Sequence, residues 1–154
     1  MNKIITLTVN PAIDKSTSVS GFRPECKLRC GEPIYEAGGG GINVSKVFNE
    51  LGGQSLSMYL AGGSTGKHLR KLLVQLGILQ HIVPIKNWVR ENLAVTDTIN
   101  KRQYRFVMPG PFIADTEWKD ALNKLEAILL EGDLLVASGS LLLLYQIIDS
   151  YWHH

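Results

Sequence analysis

Little in this sequence points to a secreted, membrane or nucleic-acid-binding protein. Its 154 residues include only two cysteines, Cys26 and Cys30, which argues against a disulfide framework and indicates reduced thiols. No stretch approaches the roughly 20 apolar residues of a membrane span, and the N-terminus has no signal-peptide pattern. Sixteen basic and 14 acidic residues leave a net charge of +2, too balanced to indicate a nucleic-acid or membrane partner. We therefore expect a cytoplasmic globular domain.

Metal-ligand sets and nucleotide loops are scarce as well. Cys26 and Cys30 have no second pair or nearby histidine to complete a zinc site, so no metal site is predicted. Residues 61–68 approach a P-loop, but that pattern needs a first Gly and a final Ser or Thr, where this chain has Ala61 and His68. We interpret the segment as a tight strand-to-helix turn.

Alternation of strand and helix patterns dominates the rest of the chain. Apolar, β-branched runs predict buried strands at 3–9, 55–60, 81–85 and 133–137. Helices are predicted after the glycine run at 38–41, from a cap at Ser64 or Thr65, and over 116–130. The first helix is expected to carry its apolar residues on one face: Ile42, Val44, Val47, Phe48 and Leu51. Such alternation predicts an α/β fold with a mostly parallel sheet and helices on its faces.

Two inserts of different character interrupt this alternation. Residues 15–35 are rich in Ser and Thr without helical period, and we expect short, half-exposed strands there. Residues 92–99 alternate apolar and polar side chains, and a second strand is expected at 103–107 after a turn. This pattern predicts a β-hairpin with one solvent-exposed face. Ligands of parallel α/β sheets bind at the carboxyl ends of strands. Polar or glycine-rich turns are predicted at those ends, at 10–14, 38–41, 61–66 and 138–140.

The glycine run and one aspartate are the first candidates for ligand binding. Gly38, Gly39, Gly40 and Gly41 let backbone N–H groups approach a ligand, and the positive end of a helix follows. Asn43 adds an amide in the first helical turn, and Asp14 could accept hydrogen bonds from two sugar hydroxyls. The alternatives are a flexible or tightly packed turn and a surface aspartate.

Four cations belong to the inserts or lie beside them: Lys27, Arg29, Arg90 and Arg105. If the inserts come together as a lid, these side chains could surround a phosphate dianion through charge-assisted hydrogen bonds. A solvated basic face is the alternative, and spacing alone favours it.

These segments together resemble a known family. Residues 6–14 (TLTVNPAID) are similar to the opening strand and substrate aspartate of the ribokinase-like, or PfkB-family, phosphosugar kinases, and 38–44 (GGGGINV) to the family's first signature. Its 1-phosphofructokinase and tagatose-6-phosphate kinase branches usually have Lys where this chain has Gly40. Gly40, with 27–29, 90–93 and 103–110 (QYRFVMPG), is closer to the branch of the minor bacterial 6-phosphofructokinase.

The resemblance implies a ribokinase-like three-layer sandwich with a small β lid, formed by inserts at about 15–35 and 88–108. It implies transfer of the γ-phosphate of ATP, with Mg²⁺, to the 1-hydroxyl of fructose 6-phosphate. The lid is expected to form a homodimer interface. By position, the sugar would be held by Asp14, Gly39, Gly40, Asn43 and Ser140, and the cations Lys27, Arg29, Arg90 and Arg105 would surround its phosphate.

The resemblance covers residues 1 to about 141, the N-terminal part of the kinase domain. Residues 142–154 are interpreted as a divergent C-terminal tail. The family's catalytic aspartate and most of its ATP site belong to sequence that follows a Pro-Pro-Gly segment, where this chain has Leu142, Leu143 and Leu144. No catalytic residue is therefore assigned, and our hypothesis is a frameshift or gene fragment without kinase activity of its own. A non-catalytic sugar-phosphate-binding or dimerising module stays open, as do tagatose 6-phosphate and fructose 1-phosphate as substrates. The apolar strand 133–137 is expected at an exposed sheet edge, covered by a helix over 141–148 or else causing aggregation.

Overall fold

Two four-stranded β-sheets and three helices organise the chain. The computed structural model describes residues 3–139, and Ser140 and the predicted helix over 141–148 lie outside them. In chain order the elements are β1 (Ile4–Thr8), β2 (Ala12–Val19), β3 (Ile34–Gly38), α1 (Gly40–Glu50), β4 (Ser55–Ala61), α2 (Gly63–Gln75), β5 (Leu79–Pro84), β6 (Arg90–Asp97), β7 (Gln103–Phe106), α3 (Asp115–Ile128) and β8 (Leu134–Ala137). The predicted succession of strands and helices is confirmed.

The first sheet, which we name the central sheet, has the order β5-β4-β1-β8, and all its strands are parallel. β1 pairs on both sides, with Ile4 opposite Ser55 of β4 and opposite Leu134 of β8. A strand hydrogen-bonded on both sides and covered on both faces is expected to be apolar throughout. The β-branched composition of β1 thus predicted its central place correctly.

Helices cover both faces of the central sheet and complete three layers. On one face, Ile5 and Leu7 of β1 pack in a cluster with Ala121 and Leu125 of α3. On the other face, a second cluster joins Ile42 of α1, Leu69 and Leu73 of α2 and Tyr59 of β4. Alternate residues of a strand point to opposite faces, so one short strand supplies both layers. The α/β fold predicted from the sequence is confirmed.

A seam of hydroxyl groups joins α1 to the central sheet. Thr6 Oγ1 and Ser45 Oγ are 2.7 Å apart, and Ser55 Oγ donates to Ser45 Oγ at 2.9 Å. Thr8 Oγ1 accepts from the backbone N–H of Ile42 at 3.0 Å, so it satisfies one of the free donors at the helix start. Small side chains let α1 approach β1 closely, and their mutual hydrogen bonds offset the cost of burying them.

The predicted single apolar face of α1 is wrong. Ile42 is fully buried, whereas Val44, Val47 and Leu51 are 37%, 55% and 80% exposed. Ile42 points toward the sheet, whereas the other three lie roughly 140–200° around the helix axis from it, on an exposed flank that faces away from the sheet. The periodicity detected an apolar helix but could not tell a covered face from an exposed flank.

The start of α2 also differs from the prediction. The N-cap residue is Gly62, with extended backbone angles and no side-chain cap, and the helix already includes Ser64 and Thr65. A Cβ at Gly62 would overlap the carbonyl oxygen of Ile85. Close packing against this neighbouring segment requires glycine there, so the cap residue could not be chosen for its side chain. The interpretation of 61–68 as a tight strand-to-helix turn is confirmed.

The second sheet, which we name the lid sheet, has the order β3-β2-β6-β7. β2 pairs with β6 in parallel, and the outer pairs β2–β3 and β6–β7 are antiparallel. β6 and β7 form the predicted hairpin. Because β2 and β6 are far apart in sequence, their pairing brings the two inserts into one layer.

Asp97, at the end of β6, holds the tip of the lid sheet together. Its buried carboxylate accepts from the backbone N–H groups of Phe22, at 2.9 Å, and Ile99, at 2.9 Å. These hydrogen bonds, with Phe22 the largest contributor, hold the pKa of Asp97 far below its usual range. The Phe22 ring stacks on Tyr104, with ring centroids 4.1 Å apart. Asp97 therefore joins the β2–β3 loop to the β6–β7 turn.

The described part of the chain leaves β8 at the edge of the central sheet, with Leu134 57% exposed. This position agrees with the predicted exposed edge at 133–137 for residues 3–139. No helix within the described residues is both long and apolar enough to span a membrane.

Candidate functional site

The chain leaves the central sheet at the carboxyl end of β1 and enters the lid sheet within four residues. Pro11, which cannot donate a hydrogen bond to a ladder, separates β1 from β2. Asp14 therefore lies on the lid sheet close to the central sheet's carboxyl end. This is the edge at which ligands of parallel α/β sheets bind.

Asp14 is half-buried and is held by a residue of the neighbouring strand. Asn92 of β6 lies opposite Asp14 in the strand register, and its Nδ2 donates to Asp14 Oδ1 at 2.8 Å. The Asn92 Oδ1 in turn accepts from the backbone N–H of Met108 at 3.1 Å. The carboxylate is thus fixed in orientation, and sequence reasoning assigned no role to Asn92.

The glycine run packs against Asp14 and against the end of β1. Gly38 is so close to Asp14 that a Cβ at this position would overlap the carboxylate. Gly39, with φ of 125°, is the N-cap of α1, and a Cβ there would lie 2.6 Å from Thr8 Cγ2. Both positions require glycine, Gly38 for space and Gly39 for its backbone angle as well. The alternative of a flexible loop is not what the structure shows: this is a packed turn leading into a helix.

Gly40 begins α1 and is equally crowded. A Cβ on Gly40 would overlap the hydroxyl of Ser138, which directly follows β8. The glycine run therefore lies between the lid sheet and the carboxyl ends of β1 and β8.

A polar cavity of about 390 Å³ opens on the lid sheet beside Asp14. Its lining includes the charged residues Asp14, Lys15, Glu36 and Arg105, together with Asn92. We name this space the lid cavity. Carboxylates and cations that line one cavity suit a ligand that carries both hydroxyl groups and an anion.

Arg90 and Asn10 contribute buried polar atoms to the same region. Arg90, at the start of β6, donates from Nη1 to the Met108 carbonyl oxygen at 3.2 Å. Its Nε and the Oδ1 of Asn10 are buried and have no hydrogen-bond partner within residues 3–139. A Cβ at Gly110 would overlap the Asn10 amide, so the segment after β7 closes over the end of β1. Ser57 Oγ and Thr65 Oγ1, elsewhere in the described residues, are also buried without a hydrogen-bond partner, so the two unpartnered atoms of Arg90 and Asn10 do not by themselves mark a ligand site.

The sequence offered two signals for these additional residues. Asn10 directly precedes Pro11 at a strand end, and Asn92 is a polar residue in the first half of the predicted hairpin. Neither signal was specific, because asparagine is common in turns and on wet strand faces. Only the pairing of β2 with β6 shows that Asn92 meets Asp14.

The other predicted cations lie elsewhere. Lys27 and Arg29 are exposed in the loop between β2 and β3, and the lining of the lid cavity in their own chain does not include them. Asn43 is exposed in the first turn of α1, where it borders an apolar cavity of about 360 Å³ with Val44, Val47, Phe48 and Leu51. Ser140 lies outside the described residues. The structure therefore places Asp14 beside Gly38 and, through the lining of the lid cavity, together with Arg105, whereas neither the glycine run nor Arg90 lines that cavity.

Metal ligation and buried acid–base chemistry find little support at this site. Within residues 3–139, no group of three or more His, Cys, Asp or Glu side chains could hold a metal ion. Burial raises the pKa of Tyr59 far above its usual value, and its hydroxyl donates to Gln80 Oε1 at 2.5 Å on the central sheet. Tyr59 belongs to the hydrophobic cluster beneath α2 and is a structural residue.

Comparison with known proteins gives consistent results. Residues 2–149 match the profile of the pfkB family of carbohydrate kinases, which extends past the boundary near residue 141 that the motifs indicated. The chain is 45% identical over 139 residues to the ATP-dependent 6-phosphofructokinase isozyme 2 of Mycobacterium tuberculosis, covering 90% of this chain and 41% of that protein. It is 43% identical over 144 residues to the isozyme 2 of Escherichia coli, covering 92% of this chain and 45% of that protein.

A solved structure shows the same agreement. The crystal structure of Escherichia coli phosphofructokinase-2 in complex with fructose-6-phosphate superposes with a TM-score of 0.89 at 38% identity. The superposition covers 97% of this chain and 51% of that one. The chain therefore spans about half the length of the proteins to which it is similar.

Proposed function

The chain belongs to the pfkB family of carbohydrate kinases, and from that membership we propose that it is the sugar-phosphate-binding part of an ATP-dependent 6-phosphofructokinase. The proposed substrate is fructose 6-phosphate, whose 1-hydroxyl accepts the γ-phosphate of ATP in the complete enzyme. One observation carries the proposal: Asp14, fixed by Asn92, borders the same cavity as Arg105. A sugar phosphate has hydroxyls for the carboxylate and an anion for the guanidinium.

Each proposed contact follows from the chemistry of the side chain. Asp14 accepts hydrogen bonds from sugar hydroxyls, and the N–H groups of Gly39 and Gly40 donate to sugar oxygens. Asn43, which borders the apolar cavity on α1, is proposed at the sugar by family position alone. Arg105 pairs with the phosphate, and the buried Nε of Arg90 supplies a further donor. Ser140 is proposed at the sugar by family position alone.

Lys27 and Arg29 are proposed to act across a dimer interface. The family implies a homodimer through the lid sheet, and in this chain both cations are exposed on a lid loop rather than in the lid cavity of their own chain. We propose that, across such an interface, these exposed cations reach toward the site of the partner subunit.

We propose ATP and Mg²⁺ as cofactors of the complete enzyme, as family membership implies. Residues 3–139 include no cluster that could hold a metal ion, and the chain spans 41% and 45% of its two curated relatives. Phosphoryl transfer depends on electrostatic stabilisation and on positioning of both substrates. We therefore propose that this polypeptide alone binds fructose 6-phosphate without turning it over.

Position 40 favours fructose 6-phosphate over the related phosphosugars. The 1-phosphofructokinase and tagatose-6-phosphate kinase branches usually have Lys at this position. Here even the Cβ of such a side chain would overlap the Ser138 hydroxyl, so a lysine would require Ser138 to move. The local packing thus supports the 6-phosphofructokinase branch.

Ligand-dependent thermal unfolding tests this function. A ligand that binds only the folded state raises its stability by about 2.7 kcal/mol at a concentration 100 times the Kd, so saturating fructose 6-phosphate is expected to raise Tm by several degrees. Asp14→Ala and Arg105→Ala should abolish the shift. Asp120→Ala, which removes only the exposed ion pair of Asp120 with Lys124, should retain it.

Two results would overturn the proposal. One is the absence of any Tm shift with fructose 6-phosphate, and the other is a shift that persists in Asp14→Ala. A larger shift with tagatose 6-phosphate or fructose 1-phosphate would reassign the substrate. Turnover of ATP and fructose 6-phosphate, above that of an Asp14→Ala preparation purified in parallel, would contradict the inactivity of the polypeptide alone.

A further inference from the structure

We propose that Asn92 is a positioning residue that fixes the Asp14 carboxylate for sugar binding and sets its spacing from the cation Arg90. The sugar-binding role of Asp14 belongs to the proposed function, on which this inference rests. Asn92 itself is assigned no contact with the sugar. It acts through two neighbours, one on each end of its side-chain amide.

The first neighbour is Asp14. Parallel pairing of β2 with β6 places the two residues opposite each other, and Asn92 Nδ2 donates to Asp14 Oδ1 at 2.8 Å. Asp14 Oδ2 lies against Gly38, where no side chain intervenes. One oxygen is therefore held by the protein, and the carboxylate keeps lone pairs on both oxygens for other donors. Without Asn92 the side chain would be free to rotate.

The second neighbour is the backbone of Met108. Its N–H donates to Asn92 Oδ1 at 3.1 Å. A backbone N–H can only donate and an ionised carboxylate can only accept, so the Asn92 amide has one orientation that satisfies both partners. Rotating the amide by half a turn would face its oxygen toward Asp14 and its NH₂ toward the Met108 N–H. The segment after β7 thus determines which end of Asn92 meets the carboxylate.

The same segment reaches Arg90. The carbonyl oxygen of Met108 accepts from Arg90 Nη1 at 3.2 Å, so Met108 binds Asn92 through its N–H and Arg90 through its C=O. Asp14, Asn92, Met108 and Arg90 form one hydrogen-bonded chain. That chain links the hydroxyl-binding carboxylate to a donor on the proposed phosphate side. Among these four hydrogen-bonded residues, Asn92 is the one whose side chain both donates and accepts. It therefore connects Asp14 to Met108 and, through Met108, to Arg90.

A double-mutant cycle on fructose 6-phosphate affinity tests this role. Since a hydrogen bond to a charged group is involved, Asn92→Ala is expected to weaken binding about tenfold and Asp14→Ala about a hundredfold. If Asn92 acts through Asp14, the double variant should bind no more weakly than Asp14→Ala. Asn49→Ala is the matched control, because Asn49 Nδ2 donates to the Leu76 carbonyl oxygen between α1 and α2. It should stay within about twofold of the wild type.

Additive losses in the double variant, or an Asn92→Ala affinity equal to that of the wild type, would overturn the inference. A general loss of folding would also give additive effects with Asp14→Ala, so the non-additive result distinguishes positioning from a structural role. Circular dichroism of each variant before titration confirms that binding is compared among folded proteins.

A measurement without sugar separates this inference from the proposed function. In ¹H–¹⁵N NMR spectra of the ligand-free chain, Asp14→Asn should shift the Asn92 side-chain amide and the Met108 backbone N–H. Asp120→Asn, which alters an exposed pair, should shift neither. If the wild type binds no fructose 6-phosphate, the proposed function fails, and these resonances still decide whether Asn92 links Asp14 to Met108. Unchanged resonances in Asp14→Asn would refute the link.

Discussion

Replacing Gly41 by Ala tests whether α1 is held against the central sheet as closely as the structure shows. Gly41 lies inside α1, where Ala is normally favoured over Gly by about 1 kcal/mol. Here the added Cβ would lie 2.6 Å from Thr8 Oγ1 and 2.7 Å from the Leu7 carbonyl oxygen. Real Cβ atoms do not approach other heavy atoms so closely, and Leu7 belongs to the central strand β1. The strand cannot move away without disturbing both of its neighbours.

The expected change in the free energy of unfolding is the cost of crowding the added Cβ minus the gain from the helix preference for Ala. Overpacking of a tight site costs about 1–3 kcal/mol, and the upper value applies because a backbone atom is involved. Subtracting the helix preference leaves a net loss of about 2 kcal/mol. For a chain of this length such a loss corresponds to a Tm lower by about 4–8 °C. Since the shift of α1 also disturbs the Ile42 N–H bond to Thr8, the stabilisation by fructose 6-phosphate should decrease too.

Urea unfolding of the full chain measures the loss, with Gly66→Ala as the matched control. Gly66 also lies near the start of a helix, α2, but its Cβ would meet nothing closer than 3.3 Å, at Ala61. At this position the helix preference for Ala and the cost of the close Cβ contact should nearly cancel. The free energy of unfolding should therefore stay within about 1 kcal/mol of the wild type. A Gly41→Ala protein as stable as the wild type would refute the reasoning, as would equal losses in both variants.

Two further substitutions test the lid sheet and the flank of α1. Asp97→Asn should lower the urea midpoint at neutral pH, because the amide has one acceptor oxygen for the N–H groups that the carboxylate binds with two. The folded-state pKa of Asp97 is lowered, chiefly by the Phe22 N–H. The stabilisation by the Asp97 carboxylate is therefore present above about pH 4 and is lost as the pH falls further. The urea midpoints of the wild type and of Asp97→Asn should then converge in acid, and a difference between them that stays constant with pH would contradict this. Ile42→Ala should lower the free energy of unfolding in urea by about 2–5 kcal/mol, because Ile42 is fully buried. Leu51→Ala should lower it by less than about 0.5 kcal/mol, because Leu51 is 80% exposed. Similar losses in the two variants would contradict the assignment of Ile42 to the buried face of α1 and of Leu51 to its exposed flank.

Much of the architecture was predictable because it depends on local pattern. The apolar run of β1, the glycines before α1 and the alternation in β6 each reflect a physical period or a backbone requirement of the segment itself. The apolar flank of α1 shows where this reasoning fails. Val47 and Leu51 belong to an apolar helix pattern, but burial depends on what lies beside the helix, and periodicity carries no information about neighbours.

The candidate site also contains some residues that the local sequence predicted and others whose positions depend on the pairing of distant strands. Asp14 and the glycine run were predictable because the chemistry and its backbone support lie within short segments. The association of Arg105 with Asp14 was predicted only on the condition that the two inserts meet. The exposed positions of Lys27 and Arg29, away from the lid cavity of their own chain, agree with the alternative of a solvated basic face. Their loop can be read in the sequence, but its direction relative to the cavity depends on how the lid sheet pairs.

The sequence by itself determined the order of the elements, the glycines at the start of α1 and a carboxylate just beyond β1. These follow from side-chain periodicity and from backbone angles that only certain residues adopt. The tertiary structure decided which polar groups meet. Asn92 is 78 positions from Asp14, and only the parallel register of β2 with β6 places them opposite each other. A slip of one residue would turn Asn92 to the other face of the lid sheet, so hydrogen bonding between strands, rather than any local motif, completes the site.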